Sequence, residues 1–385
     1  ITNQQKSGRC WMYAALNVLR PLVIRDHRMK DFEFSTAYLQ FWDKMEKANL
    51  YLESVIELRE ADYLDRDWEI VNRWTIEDGG WWNFVVDLIE KYGVVPLAAM
   101  PETHSSSNTA TINEVLGRLL RKWAARLLKR HEEGGRVADL REGKKEALRE
   151  VYRFLVLTFG EPPTEFAWRF QHTRKASGIE DPGAEMQSAE EKNLSEGETF
   201  TPLSFYRRFV AVPLSEFVCL YNDPKNEFDR HYRFRRAHNL VEGDCMHFVN
   251  VGMKTMKEVA VASIVANEPL WFAVNMHFDQ STKHGVMAHQ LFDYEALFGI
   301  DLTLGKAERT RFHAGASNHA MVLMGVDLEQ GGSPRKWLVE NSWGDEKGDD
   351  GRWTLQDSWF DEHVYTIIAH RRHVPAAVLQ RFEED

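Results

Sequence analysis

Behind Cys10 the apolar residues Trp11, Ala14, Ala15, Val18 and Leu19 recur at helical spacing. A polar, glycine-bearing run, Asn3-Gln4-Gln5-Lys6-Ser7-Gly8-Arg9, stands ahead of them. The pattern predicts a loop that becomes a helix at Cys10. It weakens near Pro21, where a stop or kink is expected. A longer amphipathic helix is predicted over residues 35–60. Ser35 is its N-cap, and Tyr38, Leu39, Trp42, Met45, Leu50 and Leu52 give the apolar spacing. The turn Glu77-Asp78-Gly79-Gly80 precedes a third helix at 81–91. Residues 109–131 set Val115, Leu116, Leu119, Leu120, Trp123, Leu127 and Leu128 on one face. Arg118, Arg121, Lys122, Arg126, Lys129 and Arg130 crowd the other. Helical periodicity continues over 136–160.

Residues 172–202 change character. They are rich in Glu, Ser, Gly and Lys and poor in apolar positions, which predicts a long, exposed acidic loop. From Pro202 the pattern becomes shorter and more strand-like. Strands are expected at 217–221, closed by Asn222-Asp223-Pro224, and at 270–276, 320–326, 337–340 and 364–369. One helix is expected at 256–266. The chain therefore reads as α+β, with a helical first half and a mostly antiparallel β-rich second half. Four segments follow: a helical lobe at 1–100, an inserted helical subdomain at 101–171, the acidic loop at 172–202 and a β-rich lobe at 203–385.

Composition narrows the function classes. With 385 residues and 43% hydrophobic content, the chain can bury a large core. A net charge of −11 points away from nucleic-acid binding, which runs on clustered Lys and Arg. The basic face at 109–131 is accordingly read as solvated or subunit-facing. No apolar run is long enough to span a bilayer, and no signal peptide is visible. Three cysteines, Cys10, Cys219 and Cys245, are too few for a disulfide framework. The last two read as buried free thiols, which suits a reducing, cytoplasmic compartment. Asp244-Cys245-Met246-His247 offers metal-donor types without a second pair at zinc spacing, so no metal site is expected. No phosphate-cradling glycine motif appears, and no cofactor is expected.

The chemistry centres on Cys10. At a helix N-terminus the unpaired N–H groups and the macrodipole favour a thiolate, the form that attacks a carbonyl carbon. Gln4 can fold its amide beside the sulfur, and with the Cys10 N–H it would supply two donors to an oxyanion. A nucleophile needs a base, and the base an orienting group. His319, heading the run Ala320-Met321-Val322-Leu323, is the candidate base; His289 and His313 are decoys. Asn341, in Glu340-Asn341-Ser342-Trp343-Gly344, would hold the imidazole through its amide oxygen, with Trp343 shielding that bond. Trp11 and Asn318 flank nucleophile and base and are counted as substrate-binding residues.

These motifs resemble those of the papain-like cysteine peptidases: Gln-x-x-x-Ser-Gly-x-Cys-Trp, then His-Ala, then Asn-Ser-Trp-Gly. Arg9 ahead of the nucleophile is similar to the bleomycin hydrolase, or aminopeptidase C, branch. So are Phe34-Ser35-Thr36-Ala37-Tyr38-Leu39-Gln40-Phe41-Trp42-Asp43-Lys44, Asp78-Gly79-Gly80-Trp81-Trp82, Glu90-Lys91-Tyr92-Gly93-Val94-Val95-Pro96, Phe298-Gly299 and Lys306-Ala307-Glu308-Arg309. The resemblance spans nearly the whole chain. It implies a two-lobe fold with the active site between the lobes, and Gly79 and Gly80 lining the cleft beside an extended peptide substrate. It also implies a cysteine aminopeptidase working in a closed homohexamer, whose C-terminal tail lies in the cleft. The branch carries a substantial segment before its nucleophile, whereas this chain opens close ahead of Cys10. After His373-Val374-Pro375 the chain ends in Leu379-Gln380-Arg381-Phe382-Glu383-Glu384-Asp385, without the branch's apolar tail. A shorter tail would open the cleft to endopeptidase or amide-hydrolase action, unless Asp385 and its neighbours take the tail's place. A non-catalytic scaffold is the remaining reading, and the intact Gln4, Cys10, His319 and Asn341 set argues against it.

Overall fold

The computed structural model describes residues 1–173 and 194–383. Helix α1 (Cys10–His27) is apolar nearly all round, with Trp11, Met12, Tyr13, Ala14, Ala15, Leu16, Val18 and Leu19 all buried. A helix of that kind belongs in the middle of a molecule. Helix α2 (Thr36–Glu57) starts where expected, with Ser35 Oγ accepting the Tyr38 N–H at 3.1 Å. Helices α3 (Arg66–Arg73), α4 (Trp82–Tyr92) and α5 (His104–Ser107) lead to two long ones, α6 (Ala110–Glu132) and α7 (Val137–Phe159). Leu116, Leu120 and Leu127 of α6 and Ala147, Val151 and Leu155 of α7 share one hydrophobic cluster with α1 and α2.

Strands β1 (Phe166–Trp168) and β2 (Glu198–Phe200) pair antiparallel, and a helix at Pro202–Phe209 follows. The remaining strands are β3 (Phe217–Tyr221), β4 (Arg230–Phe234), β5 (Met246–Asn250), β6 (Leu270–Val274), β7 (Gln280–Ser281), β8 (Val286–Met287), β9 (His319–Leu328), β10 (Pro334–Glu340), β11 (Arg352–Gln356) and β12 (Val364–His370). They form one sheet in the order β4-β5-β3-β12-β6-β9-β10-β11-β8-β7. It is mostly antiparallel; β3–β5 and β11–β8 are the parallel pairs. Period-two alternation splits the central strands between two cores. Ala320 and Val322 pack with α1, while Met321 and Leu323 face the opposite core, beneath the helices Met253–Val265 and Asp357–His363. The register Glu340↔Val322 brings the end of β10 beside the start of β9.

Several expectations are corrected. Pro21 neither stops nor ends α1, which runs on to Arg28 in the left-handed region (φ 53°). Burial of Val23 beyond the proline supports the extra turns against one lost hydrogen bond. The segment after Pro202 opens as a helix, because Thr201 caps it and Pro202 sits in its first turn. Val115, placed on the apolar face of α6, is 43% exposed. Of the acidic loop at 172–202, residues 174–193 lie outside the described residues, and its far end contributes β2. Asp385 also lies outside them. All three cysteines are free, but Cys245 is half-buried rather than buried.

Candidate active site

The sheet and α1 deliver the candidate residues to one place. Cys10 is the first residue of α1, and the sheet presses against that helix: Trp271 Nε1 of β6 donates to the Trp11 carbonyl at 2.9 Å. The backbone N–H groups of Ala320, Trp11 and Cys10 lie on the side of the sulfur and lower its pKa. Ala320 directly follows His319, the first residue of β9, so the start of that strand lies against the N-terminus of α1. His319 Nε2 bonds Asn341 Oδ1 at 2.9 Å, which leaves Nδ1 as the ring nitrogen not engaged by the asparagine. Asn341 is fully buried. The Trp343 ring lies over His319 with centroids 4.7 Å apart, and a second indole, Trp353, backs it at 5.5 Å.

Gln4 is held from both ends of its amide. Its Oε1 accepts from Ser342 Oγ at 2.7 Å, and its Nε2 donates one hydrogen to the Ser7 carbonyl at 2.7 Å. The backbone joins the same two loops: the Gln4 N–H donates to the Ser342 carbonyl at 2.8 Å, and Asn3 bridges to Trp343. The nucleophile loop is thus stitched to the Asn341 loop, and one Gln4 amide hydrogen is left over.

Electrostatics around the pair follow burial. Burial pushes the Cys10 thiol up, against the three N–H groups, and Asp78 pushes it the same way. Burial pushes His319 down to about 4, against its bond to Asn341. Each group alone is therefore driven to its neutral form, and a charged pair would rest on mutual attraction and the α1 N-terminus.

Two residues with no role assigned from sequence carry much of the loop's geometry. Asp78 accepts from the Gly8 N–H at 3.0 Å, Lys44 Nζ at 2.7 Å, Asn113 Nδ2 at 3.0 Å and Thr109 Oγ1. Its backbone carbonyl takes Trp11 Nε1 at 2.8 Å. Burial would raise its carboxyl, but the Lys44 charge and these bonds outweigh that and hold it well below the usual carboxylate range. Arg9, 1% exposed, donates to Ser7 Oγ at 2.9 Å, Gln40 Oε1 at 3.0 Å and Glu102 Oε1 at 2.8 Å. The motif letters are visible in the sequence, but their partners come from helices far along the chain.

The other candidates are placed as follows. A Cβ on Gly80 would sit 2.6 Å from the Trp11 indole, so that indole requires the glycine, whereas a Cβ on Gly79 would meet nothing within 4 Å. Asn318 accepts the Met276 N–H at 2.9 Å and donates to Asn275 Oδ1 at 3.2 Å. His313 is an exposed turn residue with φ of 56°. His289 lies 3.9 Å from Asp279, well apart in sequence from the residues above. Asp244 bonds His247 Nε2 at 2.9 Å, and Cys245 faces His238 at 3.5 Å.

Fold and side-chain arrangement together define the class, a papain-like cysteine-type peptidase. A profile of the peptidase C1-like family matches residues 1–385. Aminopeptidase C of Streptococcus thermophilus is 34% identical over 387 residues, covering 100% of this chain and 83% of the relative. Aminopeptidase G of Lactobacillus delbrueckii subsp. lactis is 36% identical over 374 residues, covering 97% of this chain and 81% of that relative. A crystal structure of PepW from Lactobacillus rhamnosis HN001 is similar at a TM-score of 0.92 and 33% identity, covering 100% of this chain and 82% of that one. The chain belongs to the peptidase C1-like family, in its bleomycin hydrolase and aminopeptidase C branch.

Proposed function

We propose that this peptidase is an aminopeptidase in which Cys10 attacks the carbonyl of a peptide's N-terminal residue. The observation that carries the reading is the His319–Asn341 bond at the start of β9, the strand whose Ala320 and Val322 pack against the helix that begins at Cys10. The thiolate forms as His319 takes the Cys10 proton. The tetrahedral oxyanion is held by the Cys10 N–H and the free Gln4 amide hydrogen. His319 then donates to the leaving amine, and water activated by the same imidazole hydrolyses the acyl-enzyme. Restriction to free N-termini follows the relatives' names. A homohexamer and a cytoplasmic setting follow the family resemblance. Exposed Leu297, Phe298, Ile300, Leu302 and Phe312 support a subunit interface, and free thiols support a reducing compartment.

The test compares one short peptide bearing a free or an acetylated N-terminus, with Cys10→Ala as control. Cleavage of the free peptide alone, lost in the variant, is expected. Equal cleavage of both would replace the aminopeptidase reading with an endopeptidase one. No cleavage by the folded protein would leave a scaffold.

A further inference from the structure

The Asp279–His289–His363 cluster shares no residue with the Cys10, His319 and Asn341 set. It draws on the segment after β6, the segment after β8 and the end of the helix Asp357–His363. One donor atom from each residue lies within 4.8 Å of the other two. Asp279 Oδ2 is 3.9 Å from His289 Nδ1 and 4.0 Å from His363 Nε2, too far for hydrogen bonds. His363 is 2% exposed, yet neither of its ring nitrogens has a hydrogen-bond partner among the described residues, and His289 Nδ1 has none either. Buried polar atoms in this state are costly and call for an explanation.

We propose that Asp279, His289 and His363 bind one divalent transition-metal ion of the zinc type. Two imidazoles and one carboxylate are the donor set such ions take, with a fourth position left for water. Metal–ligand bonds of about 2.0–2.1 Å place tetrahedral donors roughly 3.3 Å apart, so binding draws the carboxylate edges in by less than about 1 Å. The donors are held ready. Trp359 lies on the His363 ring with centroids 4.6 Å apart and ties its Nε1 to the Phe278 carbonyl at 3.3 Å. Asp279 Oδ2 already takes the Gln290 N–H at 3.2 Å. Burial first, then Arg309, His289 and Lys306, hold His363 neutral, the form that ligates. Those cations are themselves occupied: Arg309 pairs with Glu362 at 2.8 Å, and Lys306 bonds Asn222 Oδ1 at 2.6 Å. The sequence reading looked for donor pairs at zinc spacing and missed this set, because its members come from three separate segments.

The ion would fix a hydrogen-bonded link that leads from His363 toward His319. The His363 carbonyl accepts the Asn275 N–H at 2.9 Å, and Asn275 Oδ1 accepts from Asn318, the residue before His319. The proposal stands independently of the peptidase reading, and its test removes the catalytic thiol, which would itself bind zinc. Full-length Cys10→Ala protein, stripped with chelator, is titrated with zinc chloride by calorimetry and with cobalt chloride by visible absorption. One ion per chain is expected, with cobalt bands but no thiolate charge-transfer band, and a thermal midpoint raised by several degrees. Adding His289→Ala, or Asp279→Asn should that variant misfold, should weaken binding at least tenfold and abolish the midpoint shift. No binding, or equal binding by the variant, overturns the proposal. Binding that survives His289→Ala but is lost with Cys245→Ser also overturns it, by placing the ion at the Cys245–His238 pair.

Discussion

Asp78 and Asp279 each stand at the centre of a polar cluster, yet one carboxylate is saturated with partners and the other is not. Asp78 takes donors from Gly8, Lys44, Thr109 and Asn113 and joins the nucleophile loop to α2 and α6. Asp279 takes one backbone N–H, while two imidazoles stand off at 3.9 and 4.0 Å. A saturated buried charge fixes its neighbours in one arrangement, so Asp78 holds Gly8 and Trp11, on either side of Cys10, in place. An unsaturated group of metal-donor atoms is poised for something else to complete it. The difference shows why charge and burial alone do not mark a site. What separates scaffold from site is whether the hydrogen-bonding capacity is used up.

The largest expected effect comes from breaking the saturated side. Asp78→Ala leaves the Lys44 ammonium, fully buried, without its counter-charge. A loss of about 3–5 kcal/mol in urea unfolding is expected. Pairing Asp78→Leu with Lys44→Met should recover much of that stability. Catalysis should not return, because the Gly8 N–H still lacks its acceptor. Recovery of both would show that the Asp78 bonds do not position Cys10.

Asn341→Ala removes the acceptor of His319 Nε2 and should lower kcat/KM by roughly 10- to 100-fold, the value of a hydrogen bond to a charged group. Acidification should reveal both sides at once. The folded-state pKa of His363 is depressed to about 3. The unfolded chain therefore takes up protons first, near the ordinary histidine value of about 6.5. The stability His363 contributes is present above that pH and drains away as pH falls toward 3, read as a falling thermal midpoint. Asp78, depressed as a carboxylate, adds a further loss only below about pH 4. The smallest effect is reserved for the unsaturated side: His289→Ala in chelator should change stability by no more than about 0.5 kcal/mol.

Much of this arrangement is legible in the sequence, for local reasons. The loop-to-helix step at Cys10, the Ser35 cap and the apolar alternation of β6 and β9 are written over a few consecutive residues each. Cys10, His319 and Asn341 announce themselves through the motifs around them. The partners of Asp78 do not, since Lys44, Thr109 and Asn113 approach it only after α2 and α6 pack. Strand β4, Arg-His-Tyr-Arg-Phe, carries too many cations to read as a strand, and it forms by pairing along β5. Pro21 misleads because burial of α1 outweighs a local penalty. The role of Gly80 depends on the Trp11 indole, which no spacing rule places there.

On the proposed mechanism Cys10 and His319 share one proton as a charged pair, although burial alone favours both neutral forms. The direct measurement is the pH dependence of Cys10 alkylation by iodoacetamide, in the unaltered protein and in His319→Ala. The account predicts a reactive thiolate well below the ordinary thiol value of about 8.5 in the first, and an inflection above it in the second, where only the burial-raised thiol remains. Identical profiles, with both inflections at or above about 8.5, would contradict it.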